Sequence, residues 1–198
     1  ANQDIVYCLN AETGKEIWRH TYDCSAASYP GPRATPVIDE KLARIYTLSR
    51  DGQAFCLSAT TGQVQWQRNL SQEMGAKPPR WGFAASPCLE GDSVIYNANT
   101  HGIALDKKTG KTVWASDKGT CGYATPVPFT LGRTRCVAVF GEKSVYAVAL
   151  RTGKALWSYP WETKYDVNAA DPVIAGDRMF ISSGYGRGCA LLQLTDSG

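Results

Sequence analysis

The 198-residue sequence has no Cys-x-x-Cys, no two adjacent cysteines and only two histidines, His20 and His101. Without those spacings, the zinc-ribbon, thioredoxin-like and c-type haem readings fall away. No apolar run approaches the roughly 18 residues that a membrane-spanning helix needs. The start, Ala1-Asn-Gln-Asp4, has neither the basic nor the apolar stretch of a leader. No membrane span and no leader are therefore expected within these residues. An excess of one charge is also missing. The 21 Lys and Arg against 18 Asp and Glu leave a net +3, too small to argue for nucleic acid. Apolar residues spaced three and four apart are scarce, which disfavours a helical solenoid.

What the sequence does have is a repeat. Ala11-Glu-Thr-Gly-Lys-Glu-Ile-Trp18, Ala59-Thr-Thr-Gly-Gln-Val-Gln-Trp66, Lys107-Lys-Thr-Gly-Lys-Thr-Val-Trp114 and Leu150-Arg-Thr-Gly-Lys-Ala-Leu-Trp157 share Thr-Gly and a Trp four residues after the Gly, at Gly14, Gly62, Gly110 and Gly153. The Trp residues recur at spacings of 48, 48 and 43. Alternating runs such as Val6–Leu9, Ala54–Leu57 and Val145–Val148 precede each phrase, and Thr35-Pro, Ser86-Pro, Thr125-Pro and Asp171-Pro open the units. Several short β-rich runs per unit, at a period near 45 with Gly or Asp turns, predict four-stranded antiparallel propeller blades, strands A to D. The Gly suits a tight C-to-D hairpin that needs positive φ. The Trp is expected to wedge between adjacent blades, contributing large apolar area at the outer strand.

The expectation is an all-β propeller occupying 1–198 as one domain, with blade portions at 1–22, 33–70, 82–118, 123–161 and 169–198. These portions hold seventeen strands, one more than four blades use. The surplus is a second C strand, so the chain is read as about four blades of a larger propeller. A compact four-bladed ring is the alternative. A fragment would leave open strand edges, and self-association through them is expected. The seven cysteines, at 8, 24, 56, 88, 121, 136 and 189, are odd in number. They are read as small buried thiols, since Cys8 and Cys56 occupy the repeat slot that Ala104 and Ala147 fill elsewhere.

At these residues the sequence resembles the PQQ-binding-like β-propeller repeat family, shared by quinoprotein alcohol dehydrogenases and by the propeller lipoprotein of the outer-membrane barrel assembly machinery. The A-x-x-T-G-x-x-x-W phrase carries the resemblance over nearly the whole chain. Gly31-Pro-Arg-Ala-Thr-Pro36, Trp81-Gly-Phe-Ala84 and Gly122-Tyr-Ala-Thr-Pro-Val-Pro128 look like exported bacterial members. The resemblance implies a periplasmic or cell-surface protein. For the dehydrogenases it implies PQQ held between a Trp and a disulfide of adjacent cysteines, with Ca²⁺ on Glu, Asn and Asp. The chain has no Cys-Cys, and Trp81 and Trp161 could imitate the stacking Trp equally well. No catalytic residue is carried over and no cofactor is expected; PQQ and Ca²⁺ remain the resemblance's alternative.

In an up-and-down blade the D-to-A links and B-to-C hairpins share one face. The long links 23–34, 70–85 and 160–171 put the candidate site there, because loops on a rigid scaffold carry binding residues. The expected contact residues are Arg33, Arg50, Lys77, Arg80, Trp81, His101, Tyr123, Lys164, Tyr165, Asn168 and Arg187, with Tyr29 and Tyr185 on the same face. Basic and aromatic side chains of this kind suit a protein segment or a small anionic, aromatic ligand. His101 is read as a turn residue, His20 as surface on an outer strand, and Asp171 as a carboxylate that fixes its own backbone or pairs with Arg or Lys on that face. A Ca²⁺ set of Asp166, Asn168 and Asp171 lacks the spacing of a calcium loop. The expected function is a non-catalytic, exported scaffold or binding module. The alternative is a fragment of a PQQ-dependent alcohol dehydrogenase.

Overall fold

The computed structural model describes residues 2–26 and 31–195. Seventeen strands appear among them, all in antiparallel pairings. The chain opens with the two-stranded sheet β1 (Asn2–Leu9) and β2 (Glu16–Cys24). Three four-stranded sheets follow: β3 (Val37–Asp39) to β6 (Val64–Asn69), β7 (Cys88–Glu90) to β10 (Thr112–Ala115), and β11 (Val127–Leu131) to β14 (Ala155–Pro160). It ends with the three-stranded sheet β15 (Val173–Ala175), β16 (Arg178–Ser183) and β17 (Gly188–Gln193). These sheets are blades 1 to 5 below, in chain order.

Each blade packs face to face on the next, and the buried clusters map onto the seams. Trp18 and Tyr22 of blade 1 pack with Ile45, Phe55 and Leu57 of blade 2. Tyr46, Cys56 and Trp66 of blade 2 pack with Val94, Tyr96, Ile103 and Leu105 of blade 3. Ile95, Ala104 and Trp114 meet Val137, Val139 and Val148 of blade 4, and Ala138, Phe140 and Ala147 meet Met179 and Ile181 of blade 5. The period-2 pattern of each strand thus serves two seams, one per face.

The repeat residues form one contact, copied along the chain. Trp18, Trp66 and Trp114 are buried, and each lies against the turn glycine of the following blade. A Cβ on Gly62 would stand 2.6 Å from the Trp18 ring, on Gly110 2.8 Å from Trp66, and on Gly153 2.6 Å from Trp114. Each indole N–H donates to the carbonyl three residues before that glycine: Ala59 at 3.0 Å, Lys107 at 3.1 Å and Leu150 at 2.7 Å. The glycine is therefore required twice, for a φ near +70° and for the ring lying on it. Across the C and D strands, each Trp faces the small slot: Cys8 opposite Trp18, Cys56 opposite Trp66, Ala104 opposite Trp114 and Ala147 opposite Trp157. A register shift in each of these pairs sets one extra residue before the Trp, a bulge that aims the ring at the next blade.

All seven cysteines are free thiols; Cys56, Cys88, Cys121 and Cys136 are buried, Cys8 and Cys24 half-buried and Cys189 exposed. Burial pushes the Cys56 and Cys88 thiols up to about 11 and Cys121 up to about 12, so they stay protonated packing groups. His20 departs from the surface reading. Its ring packs against Phe55 and Tyr22 at 4.9 and 6.1 Å between centroids. The sequence reading also lacks the short helix α1 (Leu70–Met74), capped by Asn69, whose side chain accepts from the Gln72 N–H at 2.9 Å, and closed by Gly75 in the left-handed region.

Gly110→Ala should lose roughly 3 kcal/mol or more, since a methyl must displace the Trp66 ring. Gly14→Ala, with nothing within 4 Å of the added Cβ, should cost only the left-handed backbone penalty of about 1 kcal/mol. Urea denaturation of both variants measures the difference.

Candidate functional site

The links between blades place the candidate residues. In the blade 2–3 link, Gly82 presses against Arg50: a Cβ there would lie 2.9 Å from the Arg50 Cβ and 3.0 Å from its carbonyl oxygen. The Phe83 N–H donates to that same carbonyl at 3.0 Å, and the Phe83 side chain is fully buried. The turn closed by the Gly82 N–H on the Pro79 carbonyl, 2.7 Å, is thereby pinned from below and holds Trp81 outward, 40% exposed. The Trp81 N–H donates to the Tyr123 hydroxyl at 3.3 Å, and the Arg80 guanidinium lies 5.1 Å from the Trp81 ring centroid. Burial raises the Tyr123 phenol above its ordinary value, so that hydroxyl stays protonated.

The blade 4–5 link is organised by Asn168, which is fully buried. Its amide donates to the carbonyls of Gly141, Glu142 and Trp161 at 3.1, 2.9 and 3.2 Å. Its oxygen accepts from the Ser183 hydroxyl at 2.7 Å, which accepts from the Trp161 indole at 3.0 Å. The Asn168 carbonyl takes the Tyr123 N–H at 2.8 Å, tying this link to the one before it. Above the network, Arg187 lies 3.9 Å from the Trp161 ring centroid. Lys164 stands 5.3 Å from the Tyr165 ring, and Tyr165 meets Tyr185 edge-on at 5.0 Å. Tyr165 and Tyr185 are 43% and 65% exposed.

Three cation–aromatic pairs therefore stand on links joined through Tyr123 and Asn168: Arg80 with Trp81, Lys164 with Tyr165, and Arg187 with Trp161. In each pair the cation is stacked on the ring beforehand, which helps to hold the ring in its orientation. Other expected contact residues lie elsewhere. Arg50 is buried, its guanidinium 3.5 Å from the Cys24 sulfur and 3.9 Å from Asp51, and Asn168 is spent on backbone carbonyls. Both are corrected from contact residues to supports. The His101 ring packs on Tyr146 at 5.4 Å instead of joining Trp81. Lys77 is exposed, its backbone bridged to Thr120, and the half-buried Arg33 donates to the Gly31 carbonyl at 3.2 Å. Tyr29 lies outside the described residues. Asp171 accepts the Thr125 N–H at 2.6 Å, so it fixes the link of the preceding blade and not its own backbone.

Sequence reasoning weighed Trp161 only as a rival to Trp81. The structure gives the two rings different work, one exposed and one buried beneath Arg187. The Ser183–Asn168 contact had no sequence signal. α1 had one, in Asn69 and Glu73, whose carboxylate accepts the Asn69 N–H at 2.6 Å. Among the described residues, no group of three or more His, Cys, Asp or Glu side chains gathers to hold a metal ion. No vicinal cysteine pair exists to line a quinone. The vicinal disulfide of the dehydrogenase set therefore has no counterpart in these residues.

The sequence matches, over residues 2–197, the family described as outer membrane protein assembly factor BamB. Among solved structures, BamB from Moraxella catarrhalis is similar at 20% identity and a TM-score of 0.66, covering 96% of this chain and 52% of that one. The quinohemoprotein alcohol dehydrogenase from Comamonas testosteroni is similar at 17% identity and a TM-score of 0.65, covering 96% of this chain and 37% of that one. The computationally designed Ika8 protein is similar at 9% identity and a TM-score of 0.58, covering 94% of this chain and 52% of that one. No curated protein matches the sequence. The chain spans about half the length of the BamB it resembles, and at these identities the likeness to solved structures shows the propeller fold.

Asn168→Ala should cost about 3 kcal/mol, because it strands the Ser183 hydroxyl and three carbonyls in a buried site; chemical denaturation checks it. Burial lowers the pKa of both His101 and His20 below 6.5. The unfolded chain then binds more protons between those lowered values and 6.5, so the histidine contribution to stability is complete above the unfolded pKa and is lost as pH falls through the folded one. NMR titration should find both imidazoles below 6.5, and urea midpoints should rise from about pH 5 to 7.

Proposed function

The chain belongs to the PQQ-like β-propeller repeat family described as outer membrane protein assembly factor BamB, and from that premise we propose that it is an exported, non-catalytic propeller module that binds an acidic, aromatic-bearing protein segment on its long-link face. The observation that carries this reading is the row of cation–aromatic pairs on rigid links, with Trp81, Tyr165 and Tyr185 exposed. Carboxylates of an extended segment would fork onto Arg80 and Arg187, and its rings would stack on Trp81 or between Tyr165 and Tyr185. The buried Asn168 network supports the reading, because a partner meeting fixed side chains gives up less conformational entropy on binding. A groove of about 590 Å³ lies on the opposite face among short turns, lined by Glu90, Arg133, Arg135 and Arg151. On the long-link face a groove of about 340 Å³ lies between blades 1 and 2, lined by Asp23, Asp51, Gln53 and Asn69, and the cation–aromatic pairs stand outside it.

The family match and a site outside the cytoplasm go together in this proposal: the module works in the periplasm or at the cell surface. No helix among the described residues is long and apolar enough to cross a membrane. The quinone-enzyme alternative draws on the dehydrogenase likeness, and the absent vicinal cysteines and unassembled carboxylates weigh against it.

Titration with a synthetic peptide alternating Asp and Phe, followed by Trp fluorescence, should show saturable binding that weakens with salt. Trp81→Ala combined with Arg187→Ala should weaken it by about tenfold or more. Selective, Ca²⁺-dependent quenching by PQQ, with no response to the peptide, would overturn the reading in favour of the enzyme fragment.

A further inference from the structure

Two internal seams of this molecule are closed differently at their short-turn ends. At the blade 2–3 seam the Arg44 guanidinium, from the first residue of β4, donates to the carbonyls of Lys107 and Lys108 in the Thr-Gly turn of the next blade, at 3.1 and 2.7 Å. Asp39, paired with Arg44 across the A-to-B hairpin, meets the Lys107 ammonium at 2.8 Å. Neither contact has a counterpart at the blade 3–4 seam. Register places Ser93 where blade 2 has Arg44 and Glu90 where it has Asp39. The turn that follows carries Leu150 and Arg151 in place of Lys107 and Lys108. A serine is too short to span the seam, and a leucine cannot neutralise a carboxylate.

In place of the sealing arginine there is a groove of about 590 Å³, with Glu90, Asp92 and Ser93 of blade 3 on one wall and Arg133, Arg135 and Arg151 of blade 4 on the other. That volume falls within the roughly 300 to 1,000 Å³ of small-molecule sites. One charge pair crosses it. Arg135 forks onto Glu90, Nε to Oε1 at 2.8 Å and Nη2 to Oε2 at 2.9 Å, while its Nη1 donates to the Thr130 hydroxyl at 3.2 Å. The side chains of Asp92, Arg133 and Arg151 make no hydrogen bond or ion pair among the described residues. The groove thus offers an uncommitted carboxylate on one wall and two uncommitted guanidiniums on the other. Tight turns carry both arginines: Leu131 pairs with Thr134 around Arg133, and the Gly153 N–H closes on the Ala149 carbonyl at 2.9 Å around Arg151.

We propose that this groove binds a small dipolar ligand, a phosphate monoester that also carries an ammonium group, of which O-phosphoethanolamine is the simplest case. Three arginines against two carboxylates leave the groove at +1. A phosphate monoester, near −2 at neutral pH, is shared by Arg133 and Arg151, whose planar forks match phosphate oxygens. Its ammonium group goes to Asp92 on the facing wall. The ligand's own charge is then about −1, the complement of the groove. A single carboxylate would leave one arginine unmatched, and an anion without a cationic end would leave Asp92 facing a like charge. The phosphodiester of a lipid headgroup offers the same two groups with one negative charge fewer. Val113, 46% exposed in the groove, gives the linking carbons an apolar contact. The site shares no residue with the long-link face, so it stands independently of what that face binds.

Isothermal titration calorimetry of the full chain at low salt, with O-phosphoethanolamine, inorganic phosphate and ethanolamine in turn, tests the proposal. O-phosphoethanolamine should bind saturably at one site and about tenfold more tightly than phosphate, and ethanolamine alone should not bind. Ser93→Arg should abolish binding, because the new guanidinium closes this seam as Arg44 closes the one before it. Should that variant fold poorly, Arg133→Ala combined with Arg151→Ala, both on exposed turns, should weaken binding by more than about tenfold. Asp92→Asn should bring O-phosphoethanolamine to the level of phosphate. Flotation with vesicles of phosphatidylethanolamine and phosphatidylcholine separates the two sources of this chemistry, and the chain should stay off the vesicles. Absence of saturable O-phosphoethanolamine binding, equal affinity for phosphate, binding that survives both Ser93→Arg and the paired alanines, or capture by the vesicles would each overturn the proposal.

Discussion

The contact between an indole ring and the turn glycine of the next blade is the constraint from which the rest of this structure follows. It fixes three things at once. The glycine cannot gain a side chain, because a Cβ would enter the ring at 2.6 to 2.8 Å. The residue paired with each Trp is small, Cys8, Cys56, Ala104 or Ala147. The indole bond to Ala59, Lys107 or Leu150 locks the turn's carbonyl in place. A seam repeated in this way gives a nearly one-dimensional molecule, in which each blade is stabilised by its neighbours and the ends are least satisfied.

This explains why so much of the fold was legible in the sequence. Thr-Gly-x-x-x-Trp records the turn and the wedge, and the Thr-Pro, Ser-Pro and Asp-Pro markers record where each inner strand begins. The strand count followed from those signals, including the odd two-stranded start and three-stranded end. The reading of the cysteines as buried thiols holds for Cys56, Cys88, Cys121 and Cys136 and fails for the exposed Cys189 and the half-buried Cys8 and Cys24. The errors fall where a residue is governed by something outside its repeat. His20 reads as surface on its own strand, yet the neighbouring Phe55 covers it. α1 lies in a link, where no repeat pattern applies and only the Asn69–Glu73 capping pair marks it.

The candidate site was legible by region and much less by residue. Topology alone places the long links on one face, but composition cannot tell which polar residue projects and which props. Asn168 and Arg50 look like contact residues in sequence. In the structure Asn168 satisfies three backbone carbonyls, and Arg50 offers its backbone to Phe83. A link without regular structure leaves peptide groups unpaired, and inside a seam these need a polar side chain to satisfy them. Asn97 does similar work one seam earlier, donating to the carbonyls of Ala124 and Phe140 at 2.9 Å each. Buried amides in the links are thus a cost of irregular backbone, and their yield is rigidity.

That rigidity is passed on to the long-link face. The links are held by groups from successive blades: Tyr123 leans on Asn168 of the next link, Trp81 on Tyr123, and Asp171 on Thr125. Trp81 and Tyr165 each meet a tyrosine of the blade that follows, Tyr123 and Tyr185. Blade 5 has no follower within the described chain, and its hairpin carries Tyr185 and Arg187 with only blade 4 behind it. What orders that hairpin is the link before it, where Arg187 lies 3.9 Å from the Trp161 ring centroid and Tyr185 meets Tyr165 edge-on. The Asn168 network, which seats the Trp161 indole through Ser183, therefore also sets where this part of the long-link face presents its charge and its rings.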